Sequence, residues 1–275
     1  MAALKNMHVF LKEVSPEKRA PFIKYIIQTQ EEAGKSEWRL RLLLAQNLGN
    51  YCELFDHETV YAEFLPMFLK FCSDNVVKVG QAACTAMSPI IEKFNDDLVK
   101  QAAIVKVIRN KYFKAKTYKK RQLFIMMCSG GMMMKKELFE KYFKYDFISM
   151  ASDRVPNVRI ALSKSLRYHF LREISGCFVN DRDVNDAVRV LKLDQCIDVR
   201  SPVMDIETFP MEETRDVTME SFLGSINESR GRNHSDSGSI TSEDDLKIEM
   251  EISRHNSEDE VDHGPVLKSL RQERL

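Results

Sequence analysis

The chain has 275 residues, and its 41 basic and 41 acidic side chains balance to a net charge of zero. The balance hides a split, because residues 201–275 hold 18 acidic and 8 basic residues, a net charge of −10, and residues 1–200 carry +10. No apolar run approaches the roughly 18 residues of a membrane-spanning helix. Six cysteines without metal-ligand spacing, and an N-terminus without a signal-peptide layout, predict reduced thiols in the cytoplasm or the nucleus.

Apolar residues at steps of three and four predict helices that come in pairs. A short apolar stretch near Phe10 resembles the end of an earlier, unpaired helix. In the first pair, Pro16 or Pro21 suits the first helical turn and Gly34 a helix end. In the second pair, Pro66 would lie inside a helix and kink it. The predicted pairs are residues 17–32 with 36–55, 61–72 with 79–94, 97–113 with 118–129, and 135–151 with 157–172.

A fifth first helix is predicted at residues 184–193, but the sequence loses its apolar stripe after Arg200. Ser, Glu, Asp, Asn and Gly dominate from there on. Such a composition buries too little apolar surface to offset its ordering entropy. The sequence therefore predicts two regions, an α-helical domain at residues 1–200 and a disordered acidic tail at residues 201–275.

The predicted pairs repeat at a nearly constant period. Five aligned segments end at Arg41, Gly80, Arg121, Arg159 and Arg200, in steps of 38 to 41 residues. Two-helix solenoid repeats of the HEAT and armadillo types have about this length, roughly 40–47 residues. Each repeat buries its apolar stripe by stacking on its neighbours. The period predicts an all-α, HEAT-type solenoid of about four helix pairs with partial flanking helices.

The turns between paired helices should line up on one edge of such a solenoid. Aromatic and basic residues, the types enriched at interface hot spots, are concentrated there. For each residue alone, packing against a neighbouring repeat or simple solvation is the alternative. We interpret the edge as a protein-docking ridge with these contact candidates: Trp38, Arg39, Asn75, Lys78, Tyr118, Lys119, Arg154, Pro156 and Asn157.

The recurring arginine is better explained by structure than by catalysis. Asp74, Asp153 and Asp198 lie in the nearby turns, so a ladder of Asp–Arg pairs between successive repeats is expected, broken at Gly80. Histidines are scattered, and no phosphate-binding loop, HExxH or GxSxG motif is present in the sequence. We therefore expect no catalytic residues, no metal and no cofactor.

Two further stretches are charged. Residues 111–121 are basic and aromatic, which suits either phosphate backbones or the acidic tail as a ligand. In the tail, Ser242 and Ser257 are followed by acidic residues, as an acid-directed kinase prefers, and Ser237 lies in a degron-like segment. We expect phosphorylation at these three serines.

Three segments carry a family resemblance. Residues 65–74 (LPMFLKFCSD), residues 153–166 (DRVPNVRIALSKSL) and residues 37–41 (EWRLR) resemble HEAT repeats of the regulatory subunits of type-2A-family Ser/Thr phosphatases. The pattern is most similar to the regulatory subunits of protein phosphatase 4, over about residues 15–200. Family members hold more repeats, so a C-terminal part, a short form or a diverged copy is expected.

The resemblance implies a non-catalytic subunit that holds a Ser/Thr phosphatase catalytic subunit, of the protein phosphatase 4 type, through its intra-repeat turns. It would position the enzyme toward substrates. Two alternatives stay open, a HEAT adaptor for another assembly, such as a transport receptor or scaffold, and a nucleic-acid-binding module that uses residues 111–121.

Overall fold

The structure is a computed structural model, and it describes residues 2–34, 36–130, 136–170, 178, 181–207, 224 and 226. Throughout this part of the chain every regular element is helical, which confirms the predicted all-α class. Of the predicted tail, residues 201–207 are described and Val203 is fully buried. Apart from Gly224 and Ile226 the rest of the tail lies outside the described residues, so its disorder and the domain boundary stay predictions.

The first helices form a three-helix start rather than a simple pair. Helix α1 (Ala2–Glu13) buries Leu4, Met7 and Leu11 and packs on α3, so the stretch near Phe10 does have a partner. Helix α2 (Ala20–Ala33) has Pro21 in its first turn, and Pro16 lies in a separate 3-10 turn. It ends as predicted at Gly34, whose φ of 43° suits a residue without Cβ. Helix α3 is Trp38–Leu54.

Proline shapes the second pair differently in its two helices. The first helix runs through α4 (His57–Thr59), a π-helical turn (Val60–Phe64) and α5 (Leu65–Cys72). The wide turn, closed by the Leu65 N–H on the Val60 carbonyl, immediately precedes Pro66 and accommodates it. The return helix, predicted to be continuous, is instead split into α6 (Val77–Cys84) and α7 (Met87–Lys93). Pro89 cannot donate to the Thr85 carbonyl and its ring crowds that oxygen, so the helix breaks there.

The later pairs follow the predicted order. Helix α8 (Leu98–Ile108) is N-capped by Asp97 and ends in a π-helical turn, and α9 is Tyr118–Gly130. The first helix of the fourth pair was predicted to be continuous, but it is divided at the fully buried Phe143. Its parts and the elements after it are α10 (Lys136–Tyr142), α11 (Lys144–Ser149), α12 (Pro156–Ser165) with a π-helical turn, α13 (Arg182–Lys192), α14 (Ile197–Arg200) and a 3-10 turn (Ser201–Val203).

A continuous apolar seam runs through the stacked pairs. Its largest fully buried side chains are aromatic and come from successive repeats: Tyr51, Phe64, Phe68, Phe71, Phe94, Tyr112, Phe124, Phe143 and Phe147. Tyr112 also donates its hydroxyl hydrogen to the Leu69 carbonyl, 3.3 Å away in the preceding repeat. Because each repeat buries its stripe on its neighbours, the architecture is the predicted α-solenoid.

Candidate partner-binding edge

The repeated arginines form the predicted ladder along the intra-repeat turns. Each reaches the aspartate in the turn of the next repeat: Arg41 Nε lies 2.6 Å from Asp74, Arg121 Nε lies 2.6 Å from Asp153, and Arg159 Nε lies 2.5 Å from Asp194. A second guanidinium nitrogen completes each contact at 2.9 to 3.2 Å. The pairing is bidentate, the strong and orienting form of an arginine–carboxylate contact.

Each rung also fixes the shape of two turns. Arg121 donates through Nη1 to the carbonyls of Ala115 and Lys116 in its own turn, at 2.9 and 3.0 Å. The Asp153 carboxylate accepts the Val155 N–H at 2.8 Å, which closes the following turn. The same contacts recur at the other rungs. The turns are therefore held in place from inside.

One member of the predicted ladder was wrong. Asp198 was expected to pair with the repeated arginine, but Arg159 pairs with Asp194 instead. Asp198 lies in the first turn of α14 and is exposed. In every rung the aspartate stands six residues before the next ladder position, as Asp74 does before Gly80 and Asp194 does before Arg200. That register could have been read from the sequence.

The break at Gly80 involves both partners. The position six residues before Arg121 is Ala115, so the repeat that lacks the arginine faces a turn that lacks the aspartate. Neither charge is left without its partner. A Cβ at position 80 would lie 3.6 Å from two backbone carbonyl oxygens of α5 and 3.8 Å from the Leu123 side chain. Close packing of the helices at Gly80 therefore takes the place of the missing rung.

The structure brings the nine contact candidates to this one edge. Each lies in an intra-repeat turn or in the first helical turn after it. Trp38 is half-buried, with the Arg39 guanidinium 4.7 Å from its ring centre, a cation–π distance. Tyr118 is 37 % exposed. The remaining seven are exposed: Arg39, Asn75, Lys78, Lys119, Arg154, Pro156 and Asn157.

Two apolar members of the edge were not predicted. Val77 is 68 % exposed and Ile197 is 67 % exposed, and both stand three residues before the ladder position. Trp38, Tyr118 and Pro156 occupy that same register. The edge therefore carries one apolar side chain per repeat, flanked by Arg39, Lys78 and Lys119. The aligned segments contained this signal, because Val77 and Ile197 align with Trp38 and Tyr118 in them.

The basic stretch at residues 111–121 does not present all of its side chains. Tyr112 is fully buried and Arg121 is bound in the ladder. Lys111 is half-buried, and burial together with the neighbouring Lys120 charge lowers the pKa of its ammonium group. The exposed remainder belongs to the turn edge and not to a separate groove.

Other kinds of site are not seen in the described residues. No three His, Cys, Asp or Glu side chains among them are close enough to hold a metal ion. Within the same residues, no helix combines the length and the apolar character that crossing a membrane requires.

The repeat geometry, with its ladder and its exposed turns, defines the chain as an α-solenoid built from stacked helix pairs. The chain is similar to "Serine/threonine-protein phosphatase 4 regulatory subunit 1" of Homo sapiens and of Mus musculus, with 25% identity over 214 residues in each case. The alignments cover 73% of this chain and 22% of each relative, so the chain spans about a fifth of the length of the curated relatives it matches. The predicted resemblance is confirmed, and no family model matches the chain.

Proposed function

We propose that the solenoid is a non-catalytic regulatory subunit that binds a Ser/Thr phosphatase catalytic subunit of the protein phosphatase 4 type and positions it toward substrates. The similarity to a phosphatase 4 regulatory subunit supports the regulatory role. The turn edge supports the mode of binding, because it repeats one apolar and one polar or charged position at every corner.

The observation that carries the proposal is the internal locking of these turns. Every rung holds the carbonyls of one turn and the carboxylate of the next, so the turn backbone that carries the outward side chains is fixed before any partner arrives. A pre-organised surface loses less conformational entropy on binding. The ladder thus acts as a rigid scaffold, because it holds the contact residues of successive turns in a row at a nearly constant spacing.

The chemistry of the row indicates what it can bind. Lys78, Lys119 and Arg154 are exposed beside Val77, Tyr118 and Pro156. A partner that matches this surface offers apolar contacts bordered by carboxylates. Arg39 lies on the Trp38 ring and extends the same pattern to the first turn.

Charge reversal tests the proposal. The triple variant Lys78→Glu, Lys119→Glu and Arg154→Glu should reduce capture of a purified phosphatase 4 catalytic subunit by at least about tenfold, since several rim charges change sign together. A matched control reverses three exposed lysines on α1 and α2, away from the turns: Lys5, Lys12 and Lys24. Equal capture by wild type and the turn variant would refute binding through the edge.

A HEAT adaptor for another assembly is the second candidate, because the turn edge alone does not name its partner. Affinity purification with mass spectrometry separates the two: phosphatase catalytic subunits should lead the partner list. Nucleic-acid binding is disfavoured by the burial of Tyr112 and the ladder contacts of Arg121. Salt-insensitive or absent binding to a generic oligonucleotide is the expected result.

The proposal also includes phosphorylation of the acidic tail. Ser237, Ser242 and Ser257 lie outside the described residues, and their acidic surroundings support modification by an acid-directed kinase. Phosphopeptide mapping of the expressed chain checks this.

Location in the cytoplasm or the nucleus is supported by four buried cysteines that are free thiols, and imaging of a tagged chain tests it.

A further inference from the structure

The intra-repeat turn before α9 lacks the acid that the neighbouring turns possess. In the turns at Asp74, Asp153 and Asp194, the carboxylate accepts the backbone N–H two residues further on, at 2.8 Å in each case. In the turn before α9 the aspartate is replaced by Ala115, and the residue two further on is Thr117. Neither the N–H nor the hydroxyl of Thr117 has a hydrogen-bond partner in the part of the chain that the structure describes. This turn therefore contains no negative charge and has a free hydroxyl group.

Four lysines surround the free hydroxyl, which belongs to an exposed residue. They lie three and one residues before Thr117 and two and three residues after it: Lys114, Lys116, Lys119 and Lys120. All are exposed except the half-buried Lys120, and none forms an ion pair within the described residues. The sequence from residue 98 to residue 136 contains no Asp or Glu. The hydroxyl thus lies in a strongly basic surface segment.

This segment has the features of a kinase substrate. Residues 114–117 lie outside the helices, between the π-helical turn Arg109–Phe113 and α9, so the acceptor is accessible. Kinases select substrates by charge pattern, and a kinase with an acidic substrate groove favours basic residues around the acceptor. The exposed Thr85 differs, since its hydroxyl donates to the Ala82 carbonyl at 2.8 Å and no Lys or Arg lies within four residues of it.

We propose that Thr117 is a phosphorylation site for a Ser/Thr kinase that selects basic substrates. In the transfer, the Thr117 Oγ1 atom bonds to the γ-phosphorus of ATP, and the bond from that phosphorus to the β–γ bridging oxygen breaks. ADP leaves, and the hydroxyl proton passes to a base of the kinase. The phosphate adds a charge of about −2 beside the four lysines. It thereby supplies the negative charge that the turn lacks at Ala115.

The modification also changes the partner-binding edge, a consequence that rests on the proposed function. Thr117 is adjacent to Tyr118 and two residues before Lys119, which are both contact candidates. The phosphate opposes the positive charge of the lysines and repels a partner whose contacts are bordered by carboxylates. Phosphorylation should therefore weaken capture of the phosphatase catalytic subunit.

Labelling of the full-length chain tests the site. The chain is incubated with ATP, Mg²⁺ and a purified Ser/Thr kinase that requires basic residues around its acceptor, and mass spectrometry locates the phosphate. Thr117 should be phosphorylated, and Thr85 should stay unmodified. Absence of phosphate from Thr117 overturns the proposal.

Two charge-reversed variants test the role of the lysines. Lys114→Glu combined with Lys116→Glu should slow the labelling of Thr117 at least about tenfold, because the kinase groove no longer meets a basic segment. The control, Lys5→Glu combined with Lys12→Glu on α1, changes two exposed lysines away from the turn and should be labelled at the wild-type rate. Equal rates for all three chains overturn the assignment to a kinase that selects basic substrates.

Capture of an active-site-inhibited phosphatase 4 catalytic subunit tests the consequence, because inhibition prevents removal of the phosphate. Kinase treatment should lower capture by the wild-type chain at least about fivefold and leave capture by Thr117→Ala unchanged. Equal capture by treated and untreated wild type overturns the effect on binding. If the untreated chain captures nothing, the proposed function fails instead, and the labelling of Thr117 still decides the phosphorylation site.

Discussion

Removal of one ladder carboxylate should destabilise the whole stack. Asp153→Ala deprives Arg121 of both bidentate acceptors, at 2.6 and 2.9 Å, and deprives the Val155 N–H of its partner. The two charged side chains are only 9% and 8% exposed, so the guanidinium would stay nearly buried without a counter-charge. Breaking a buried pair costs about 3–5 kcal/mol.

The geometry places this variant at the lower end of that range. Arg121 keeps its two carbonyl acceptors in its own turn, so only part of its hydrogen bonding is lost. We expect the free energy of unfolding to fall by about 3 kcal/mol, a large share of the roughly 5–15 kcal/mol of a typical domain.

Urea titration followed by circular dichroism at 222 nm measures the loss. The control is Asp198→Ala in the first turn of α14, an exposed aspartate outside the ladder. Its effect should stay within about 0.5 kcal/mol. A loss below about 1 kcal/mol for Asp153→Ala, the range of exposed ion pairs, would refute the ladder as a stabilising element.

Three further predictions concern packing, acid and thiols. Gly80→Ala should raise the free energy of unfolding, measured by urea titration, by about 0.5–1 kcal/mol, since the added Cβ meets only ordinary contacts at 3.6 Å or more. Gly49→Ala should give no such gain, because its Cβ would lie 3.2 Å from Pro89. Burial acts to raise the pKa of Asp194, but Arg159 and the Cys196 N–H outweigh it and hold the pKa below its usual value. Stability should therefore fall as pH drops below about 4, and less steeply in Asp194→Asn, in acid titrations of unfolding. In a Cys177→Ser background, iodoacetamide should label Cys196 before the four buried thiols, as peptide mapping will show.

The repeat period made the fold predictable, because the return helix of every repeat except the one with Gly80 carries an arginine at the same position. The turns at Asp74 and Asp153, the cap at Gly34 and the gap at Gly80 all lie where the sequence indicated. The third pair was predicted to begin at residue 97, and Asp97 is in fact the N-cap of α8, where its side chain accepts the Lys100 N–H.

The failures arose where two local features compete. Pro66 and Pro89 both stand inside apolar helices, yet the first follows a wide π-helical turn and the second ends a helix. Which outcome occurs depends on packing against neighbouring repeats. Val77 and Ile197 are aliphatic and suit a core, and only the register of the turns shows that they are exposed.

Hydroxyl-radical footprinting of the complex tests the central claim most directly. The chain is labelled alone and with a phosphatase 4 catalytic subunit, and the reactivity of exposed side chains is compared. Trp38, Val77 and Tyr118 on the turn edge should lose reactivity on binding, while Phe10 and Tyr25, which are 54 % and 47 % exposed on α1 and α2, should keep it. Protection of Phe10 and Tyr25 with an unchanged turn edge would contradict the account.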